Sequence, residues 1–128
     1  MPKSETRLPT DAELEILNIL WQRGPCTVRE VHDVLNERKP TGYTTVLKLM
    51  QIMAEKGIVR RDERQRAHVY RPRLVQEQTQ RHLLGDFLNR AFNGSAMKMV
   101  MQALATKKAS AEELSQLRTL LDKFEREG

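Results

Sequence analysis

Residues 41–72, TGYTTVLKLMQIMAEKGIVRRDERQRAHVYRP, decide the fold of this chain. The first half of the segment repeats apolar residues at the i, i+3, i+4, i+7 spacing of a helix with one buried face: Val46, Leu49, Met50 and Met53. The opposite side of the same helix is polar and carries Thr44, Lys48, Gln51 and Glu55. Gly57 follows, and glycine readily adopts the left-handed conformation in which helices end. The pattern predicts a helix over residues 41–56 with a polar outer stripe.

The second half of the segment predicts a basic β-hairpin. Two runs of strand-forming residues, 58–63 and 66–72, flank a polar turn at Arg64 and Gln65. The hairpin is rich in arginine, with Arg60, Arg61, Arg64, Arg66 and Arg71. A polar-faced helix followed by a basic hairpin is the layout of a winged-helix DNA-binding module, in which the hairpin is the wing.

Two helices are predicted upstream by capping boxes, in which a Thr and the Glu three residues later satisfy backbone N–H groups. The boxes are Thr10 to Glu13 and Thr27 to Glu30, so helices are expected to begin at about residues 11 and 28. Their expected inward side chains are Leu14, Leu17, Leu20 and Trp21 in the first helix, and Val28, Val31, Val34 and Leu35 in the second. The predicted fold class is therefore mainly α with a small β hairpin: an N-terminal winged helix-turn-helix over residues 1–73, then a C-terminal helical domain over residues 74–128.

Charge favours a polyanion as the partner of the N-terminal half. The chain of 128 residues carries 22 Lys and Arg against 17 Asp and Glu, a net charge of +5. Residues 1–73 hold +4 of that excess and residues 74–128 hold +1. We therefore expect double-stranded DNA to bind the N-terminal domain.

Other classes of protein are disfavoured by the sequence. No segment resembles a signal peptide and no apolar run approaches the roughly 18 residues of a membrane span, so a cytoplasmic protein with no membrane partner is expected. Cys26, expected in a turn, is the only cysteine, and His32, His68 and His82 are scattered, so no disulfide, metal site or cofactor is predicted. No phosphate loop, metalloprotease motif or activated nucleophile is recognisable, which predicts that the chain is not an enzyme.

The candidate DNA contacts follow from the winged-helix layout. The third helix enters the major groove, where we expect Thr44, Thr45 and Lys48 to contact base edges and Tyr43 to contact phosphate. Arg60, Arg64 and Arg66 of the wing are expected to bind the backbone, with the two arginines nearest the tip as the first choice. The alternative is a hairpin edge whose charges only keep it soluble.

The C-terminal half predicts a dimerisation domain. A third capping box, Ser110 to Glu113, marks a last helix beginning at about residue 111. The apolar stripes of the C-terminal helices are expected to pack against a second copy through Leu84, Phe87, Leu88, Leu104, Leu114, Leu117 and Leu121. A homodimer would bind a palindromic operator with half-sites about 34 Å apart. The alternative is that these helices fold back on the N-terminal domain as additional core.

Several motifs resemble the BlaI/MecI penicillinase-repressor family over about residues 8–125. They are Leu14-Glu15-Ile16-Leu17 with Leu20-Trp21, Thr27-Val28-Arg29-Glu30-Val31, Tyr43-Thr44-Thr45-Val46-Leu47 followed by Glu55-Lys56-Gly57, and Ala67-His68-Val69-Tyr70-Arg71-Pro72. The resemblance implies a dimeric winged-helix repressor that binds inverted repeats in promoters. The promoters it implies are those of β-lactamase or other resistance or stress genes, and that of the chain's own operon.

The resemblance also implies a way of lifting repression. The best-known members are inactivated when a membrane metalloprotease sensor triggers cleavage of an Asn-Phe bond in the dimerisation domain. This chain has Gln102-Ala103 at the matching position, which is the possible proteolytic site for a sensor-linked protease of different preference. Related copper-responsive repressors carry a cysteine-rich tail; the last residues here are DKFEREG, so copper sensing through such a tail is not expected.

Two alternative functions are compatible with the sequence. One is a ligand-sensing repressor, in which a small molecule between the winged helix and the dimerisation helices spreads the two DNA-binding domains. The other is a winged-helix module that binds only protein, which would leave the polar stripe and the basic wing to be explained otherwise.

Overall fold

The computed structural model describes residues 8–128 and confirms the predicted fold class. Residues 1–7 of the expected DNA-binding domain lie outside the described residues. In chain order the elements are α1 (Asp11–Arg23), β1 (Cys26–Thr27), α2 (Val28–Arg38), α3 (Tyr43–Lys56), β2 (Val59–Asp62), β3 (Val69–Pro72), α4 (Gln76–Phe92), α5 (Ala96–Thr106) and α6 (Ala111–Glu127). They form two compact units, an N-terminal unit ending at Leu83 and a C-terminal unit, Leu84–Gly128.

All three predicted capping boxes are present. At α1, Glu13 N donates to Thr10 Oγ1 at 3.2 Å and Thr10 N donates to Glu13 Oε1 at 2.9 Å. Thr27 with Glu30 and Ser110 with Glu113 make the same reciprocal bonds at α2 and α6. A cap of this kind contributes about 1 kcal/mol. The three helix starts are therefore fixed by residues within one turn of each other.

The start of α3 is two residues later than the sequence pattern predicts. Thr41 belongs to the preceding turn, because its N–H donates to Asn36 Oδ1 at 2.9 Å and its hydroxyl donates to the Lys39 carbonyl at 2.7 Å. Gly42 is the N-cap and has no side chain with which to cap the helix. At the other end Gly57 has φ 82° and ψ 13°, the predicted left-handed stop.

The core of the N-terminal unit is built from α1, α2, α3 and the sheet. Its buried members include the predicted face of α2 and, from the predicted face of α3, Val46, Met50 and Met53, whereas Leu49 is half-buried. Tyr70 of β3 is 1% exposed. In α1 the prediction was partly wrong, because Leu14 and Trp21 are only half-buried while Ile16 and Ile19 are buried. The indole Nε1 of Trp21 donates a hydrogen bond of 3.0 Å to the Leu74 carbonyl oxygen. The buried face of α1 therefore includes Glu13, a charged side chain that hydrophobic periodicity does not predict to be buried.

The wing is part of a three-stranded antiparallel sheet with the order β1-β3-β2. Cys26 pairs with Tyr70 and Thr27 with Val69, so the strand that precedes α2 is bonded to the wing. The expectation that Cys26 lies in a turn was therefore wrong, and the side chain is 4% exposed. Burial, with the nearby Glu30 carboxylate, raises the pKa of the Cys26 thiol. A two-residue strand carries too little periodicity to be recognised from sequence.

An ion pair between a buried carboxylate and a half-buried lysine joins the start of α1 to the end of α3. Glu13 is 1% exposed, and its Oε2 accepts a hydrogen bond of 2.7 Å from Lys56 Nζ. Burial alone raises the pKa of a carboxyl group. Here the hydrogen bonds from Lys56 and Thr10 outweigh burial and hold the pKa of Glu13 below its ordinary value. One carboxylate thus caps α1 and positions α3.

The C-terminal unit contains helices with no buried face of their own. No residue of α5 or α6 is buried, and the buried apolar cluster of the described chain contains none of their side chains. Asn93, with φ 50°, and Gly94, with φ 83°, end α4 as predicted.

We expect Glu13→Gln to lower the free energy of unfolding by about 1.5–3 kcal/mol, the contribution of a hydrogen bond to a charged group. Glutamine still serves in a capping box, so the variant removes mainly the charge that faces Lys56. Urea unfolding at neutral pH measures the change. Glu55→Gln, on the exposed face of α3, is the control and is expected to shift stability by less than about 0.5 kcal/mol.

The same pair predicts a pH dependence. Because the folded-state pKa of Glu13 is lowered, its contribution is complete above the ordinary Glu pKa of about 4.3 and disappears as the pH falls through the lower folded value. The stability gap between wild type and Glu13→Gln should narrow on acidification. If the difference in unfolding free energy between wild type and Glu13→Gln stays constant down to acid unfolding, the destabilisation by Glu13→Gln comes from packing and not from charge.

Candidate nucleic-acid interface

Helix α3 presents the predicted polar stripe to solvent. Val46, Met50 and Met53 are buried on its inner side. On the outer side Thr44, Thr45, Lys48, Gln51 and Glu55 are all exposed. Because the inner side is fixed by the core, the outer residues project together from one rigid helix. Rigid helices of this kind supply the side chains that read base edges in the major groove.

Tyr43, in the first turn of α3, is held by two residues of α2. The Arg29 guanidinium lies over its ring, 4.9 Å from the centroid. The His32 ring contacts Tyr43 edge-on at 5.8 Å, and His32 Nε2 lies 2.8 Å from the Thr41 carbonyl oxygen. The Tyr43 side chain is thereby oriented before any ligand arrives. Arg29 and His32 are not among the predicted site residues, since nothing in the local pattern of α2 shows that they contact α3.

The wing has two faces because side chains alternate along its strands. Val59 and Tyr70 are buried on the inner face, and Arg61 lies directly opposite Tyr70 on that same face. The outer face of the wing, defined here as Arg60, Asp62, Val69 and Arg71, points the other way. Of the wing arginines in the strands, Arg60 and Arg71 therefore lie on the outer face and Arg61 on the inner face, as alternation predicts.

One cleft joins the wing to α3. This cleft is lined by the start of α2, by Tyr43, Leu47 and Gln51 of α3, and by the wing residues Arg61, Arg66, Ala67, His68 and Tyr70. Of the predicted site residues it brings Tyr43 and Arg66 together. Arg60 and Arg64 instead line a recess on the outer side of the wing with Asp62, Glu63 and Arg71. Thr45 is absent from this cleft and lines a separate recess with Pro40 and Thr41.

Several wing arginines are already paired with carboxylates. Arg64 donates to Asp62 from Nε at 3.0 Å and from a terminal nitrogen at 2.7 Å, and a terminal nitrogen of Arg71 lies 3.8 Å from Asp62. Arg61 pairs with Glu63 at 2.6 Å. The hydrogen bonds from Arg64 hold the pKa of Asp62 well below its usual range. Within residues 8–128 no carboxylate pairs with Lys48, Arg60 or Arg66.

The predicted dimerisation residues all lie in the C-terminal unit, and most of them are exposed. Leu84 is 55% exposed, Phe87 47% and Leu121 59%, which is a large exposure for such side chains. Leu104 and Leu114 are also exposed, whereas Leu88 and Leu117 are half-buried. Leu104, Leu117 and Leu120 line one groove between α5 and α6.

The predicted cleavage position lies inside a regular helix. Gln102 and Ala103 are exposed residues of α5. The Gln102 carbonyl accepts from the Thr106 hydroxyl at 2.7 Å, and the Ala103 carbonyl accepts from Lys107 N at 3.0 Å. The bond is accessible, but its backbone is engaged in the helix.

Other kinds of site find no support in the described structure. Residues 8–128 contain no group of three or more His, Cys, Asp and Glu side chains arranged to hold a metal ion. None of the helices described is both long enough and apolar enough to cross a membrane.

Comparison with known proteins gives consistent matches along most of the chain. The family model described as penicillinase repressor matches residues 9–123. The transcriptional regulator BlaI of Mycobacterium tuberculosis is 31% identical over 116 residues, which cover 90% of this chain and 83% of the relative. The penicillinase repressor of Bacillus licheniformis is 26% identical over 113 residues, or 88% of each chain. The methicillin resistance regulatory protein MecI of Staphylococcus aureus is 20% identical over 114 residues, covering 89% of this chain and 93% of the relative.

If the cleft binds the DNA backbone, Arg66→Ala should weaken binding to duplexes of any sequence. It should also flatten the dependence of log K on log salt by about 0.9, the value for one lost phosphate contact. Fluorescence anisotropy across a salt series measures both quantities. Arg118→Ala, which removes the same charge from α6, is the control, and an unchanged slope for Arg66→Ala would exclude Arg66 from the interface.

Proposed function

The chain belongs to the penicillinase repressor family, and from that premise we propose that it is a homodimeric repressor that binds an inverted-repeat operator in double-stranded DNA. It is a transcriptional regulator and not an enzyme. In this proposal residues 1–73 contact DNA and residues 74–128 hold the two copies together. The observation that carries the proposal is the exposed polar stripe of α3 beside the basic cleft of the wing.

Each set of residues has a distinct role in the proposed complex. Thr44, Thr45 and Lys48 contact base edges, because they are exposed on a helix whose opposite side is fixed in the core. Tyr43 and Arg66 contact the backbone from the cleft. Arg60 and Arg64 contact phosphates from the outer side of the wing. Backbone contacts supply sequence-independent affinity and fix the register of the base contacts.

Dimerisation is supported by the apolar surface of the C-terminal unit. Large exposed apolar side chains on α4, α5 and α6 include Phe87, Met97, Leu121 and Phe124. Large apolar side chains exposed in such number favour an interaction surface. A second copy is the natural partner, since a twofold axis would place two α3 helices on half-sites about 34 Å apart.

The regulated genes and the release of repression are proposed from the relatives. Their names refer to penicillinase and to methicillin resistance, so resistance or stress genes, together with the chain's own operon, are the proposed targets. We propose Gln102-Ala103 as the bond cut by a sensor-linked protease. Because the surrounding carbonyls are bonded within α5, cleavage requires local unwinding of that helix.

Anisotropy on DNA from immediately upstream of the gene, against a scrambled duplex at physiological salt, tests the function. We expect operator DNA to bind about 10³-fold tighter or more. Lys48→Ala should cost about 1–3 kcal/mol on the operator and much less on the scrambled duplex. Equal weak binding to both duplexes would contradict the proposal, and equal losses for Lys48→Ala would reduce Lys48 to a phosphate contact.

Leu121→Asp and Leu117→Asp should each convert the dimer to a monomer in sedimentation experiments. A charge at either position would be buried without a partner in the proposed seam, which is strongly unfavourable. Leu121 is 59% exposed in the single chain, so its substitution should leave the helix content in circular dichroism unchanged. Thr119→Asp, on another side of α6, is the control, and dimers that persist in both leucine variants would remove α6 from the seam.

A further inference from the structure

We infer that Asp62 acts as an intramolecular substitute for DNA phosphate: it pairs with Arg64 and Arg71 in the free protein and so lowers the affinity of the wing for duplex DNA of any sequence. The inference rests on the proposed function, in that it concerns the same DNA-binding wing. It assigns an affinity-setting role to an acidic residue that itself contacts no DNA.

The geometry around Asp62 resembles that of a bound phosphate group. Arg64 offers it Nε and a terminal nitrogen, the two-pronged arrangement with which arginine binds carboxylate and phosphate alike. Arg71 approaches the same carboxylate to 3.8 Å from the neighbouring strand. Together with Arg60 and Glu63 these residues line one recess. Asp62 therefore pairs with two of the arginines that could bind an anion in this recess, Arg64 and Arg71.

The sheet register explains why a carboxylate is favourable here. Arg60 lies directly opposite Arg71 on the outer face, and like charges in facing positions destabilise a hairpin. Asp62 lies on the same face and relieves that repulsion. Its Oδ1 also accepts from Arg64 N at 3.0 Å, which shapes the turn at the tip of the wing. The residue thus has a structural role and a charge-neutralising role that substitution can separate.

The strength of the Asp62–Arg64 ion pair limits how far it can lower DNA affinity. The Arg64 side chain is 85% exposed, so its pairing with Asp62 is screened by water and is readily exchanged. The pair therefore adjusts DNA affinity and does not abolish it. A phosphate that takes Arg64 must displace Asp62, and the displaced carboxylate stays near the DNA backbone. The recess contains no residue of α3, so the effect should be independent of sequence.

Asp62→Asn is the direct test. Asparagine retains an oxygen that can accept from Arg64 N, so the turn is kept while the charge is lost. We expect the variant to bind a scrambled duplex about two- to five-fold tighter, which corresponds to the strength of an exposed ion pair. The operator should tighten by the same factor, and the salt dependence should steepen. Asp62→Ser, whose hydroxyl also supports turns, provides a second variant if the first is unstable to thermal unfolding.

A double-mutant cycle separates pairing from simple charge. In an Arg64→Gln background, Asp62 has lost its main partner, so Asp62→Asn should produce little or no tightening. Equal tightening in both backgrounds would mean that Asp62 acts only through its net charge, and would overturn the inference. Weaker binding by Asp62→Asn would also overturn it, because Asp62 would then be orienting Arg64 for DNA.

The role of Asp62 and the repressor function are tested by different measurements. The ratio of operator to scrambled binding by the wild type tests the repressor, whereas the cycle is measured on the scrambled duplex alone. Salt elution from immobilised heparin gives a second readout without DNA. A wild type with no operator preference, combined with tightening by Asp62→Asn that requires Arg64, would reject the function and retain the inference. Operator preference by the wild type, combined with no effect of Asp62→Asn, would support the repressor function and reject the inference about Asp62.

Discussion

The N-terminal unit depends on the carboxylate of Glu13. One oxygen accepts the N–H that begins α1 and the other accepts the Lys56 ammonium at the end of α3, so two helix ends 43 residues apart share one buried group. Removing water from a charge is unfavourable unless the charge is paired and hydrogen-bonded. Both conditions are met here, which gives α3 a defined position against α1 and a defined outer stripe.

The wing is held to the helices by a second long-range constraint. Cys26 and Thr27 pair with Tyr70 and Val69, so the residues that lead into α2 form the third strand of the sheet. Since α2 also supplies Arg29 and His32 to Tyr43, the wing, α2 and the first turn of α3 are connected through adjacent contacts. The cleft between them is accordingly part of a single folded unit, and its side chains are oriented before a ligand binds.

The N-terminal and C-terminal units differ in how much of their apolar surface is buried. The N-terminal unit has a buried apolar core, and its charged side chains are partly neutralised by one another. Within the described chain Lys48 and Arg66 are left without a carboxylate partner. In the C-terminal unit no residue of α5 or α6 is buried. Apolar surface that water still contacts is available for association, at about 25 cal/mol for each Å² removed from water. The division fits a protein in which one half binds a polyanion and the other binds apolar surface.

The sequence by itself determined the local features: three capping boxes, the stop at Gly57, the buried face of α3 and the basic hairpin. These depend on residues within one or two turns of each other, so spacing alone reveals them. The tertiary structure decided the buried position of Glu13, the strand at Cys26, the orientation of Tyr43 by Arg29 and His32, and the split of the wing arginines between the cleft and Asp62. Most of these contacts join residues far apart in the chain, and they depend on helix rotation and strand register, which no local pattern encodes. Even Arg64 and Asp62, two residues apart, meet only because the turn folds between them.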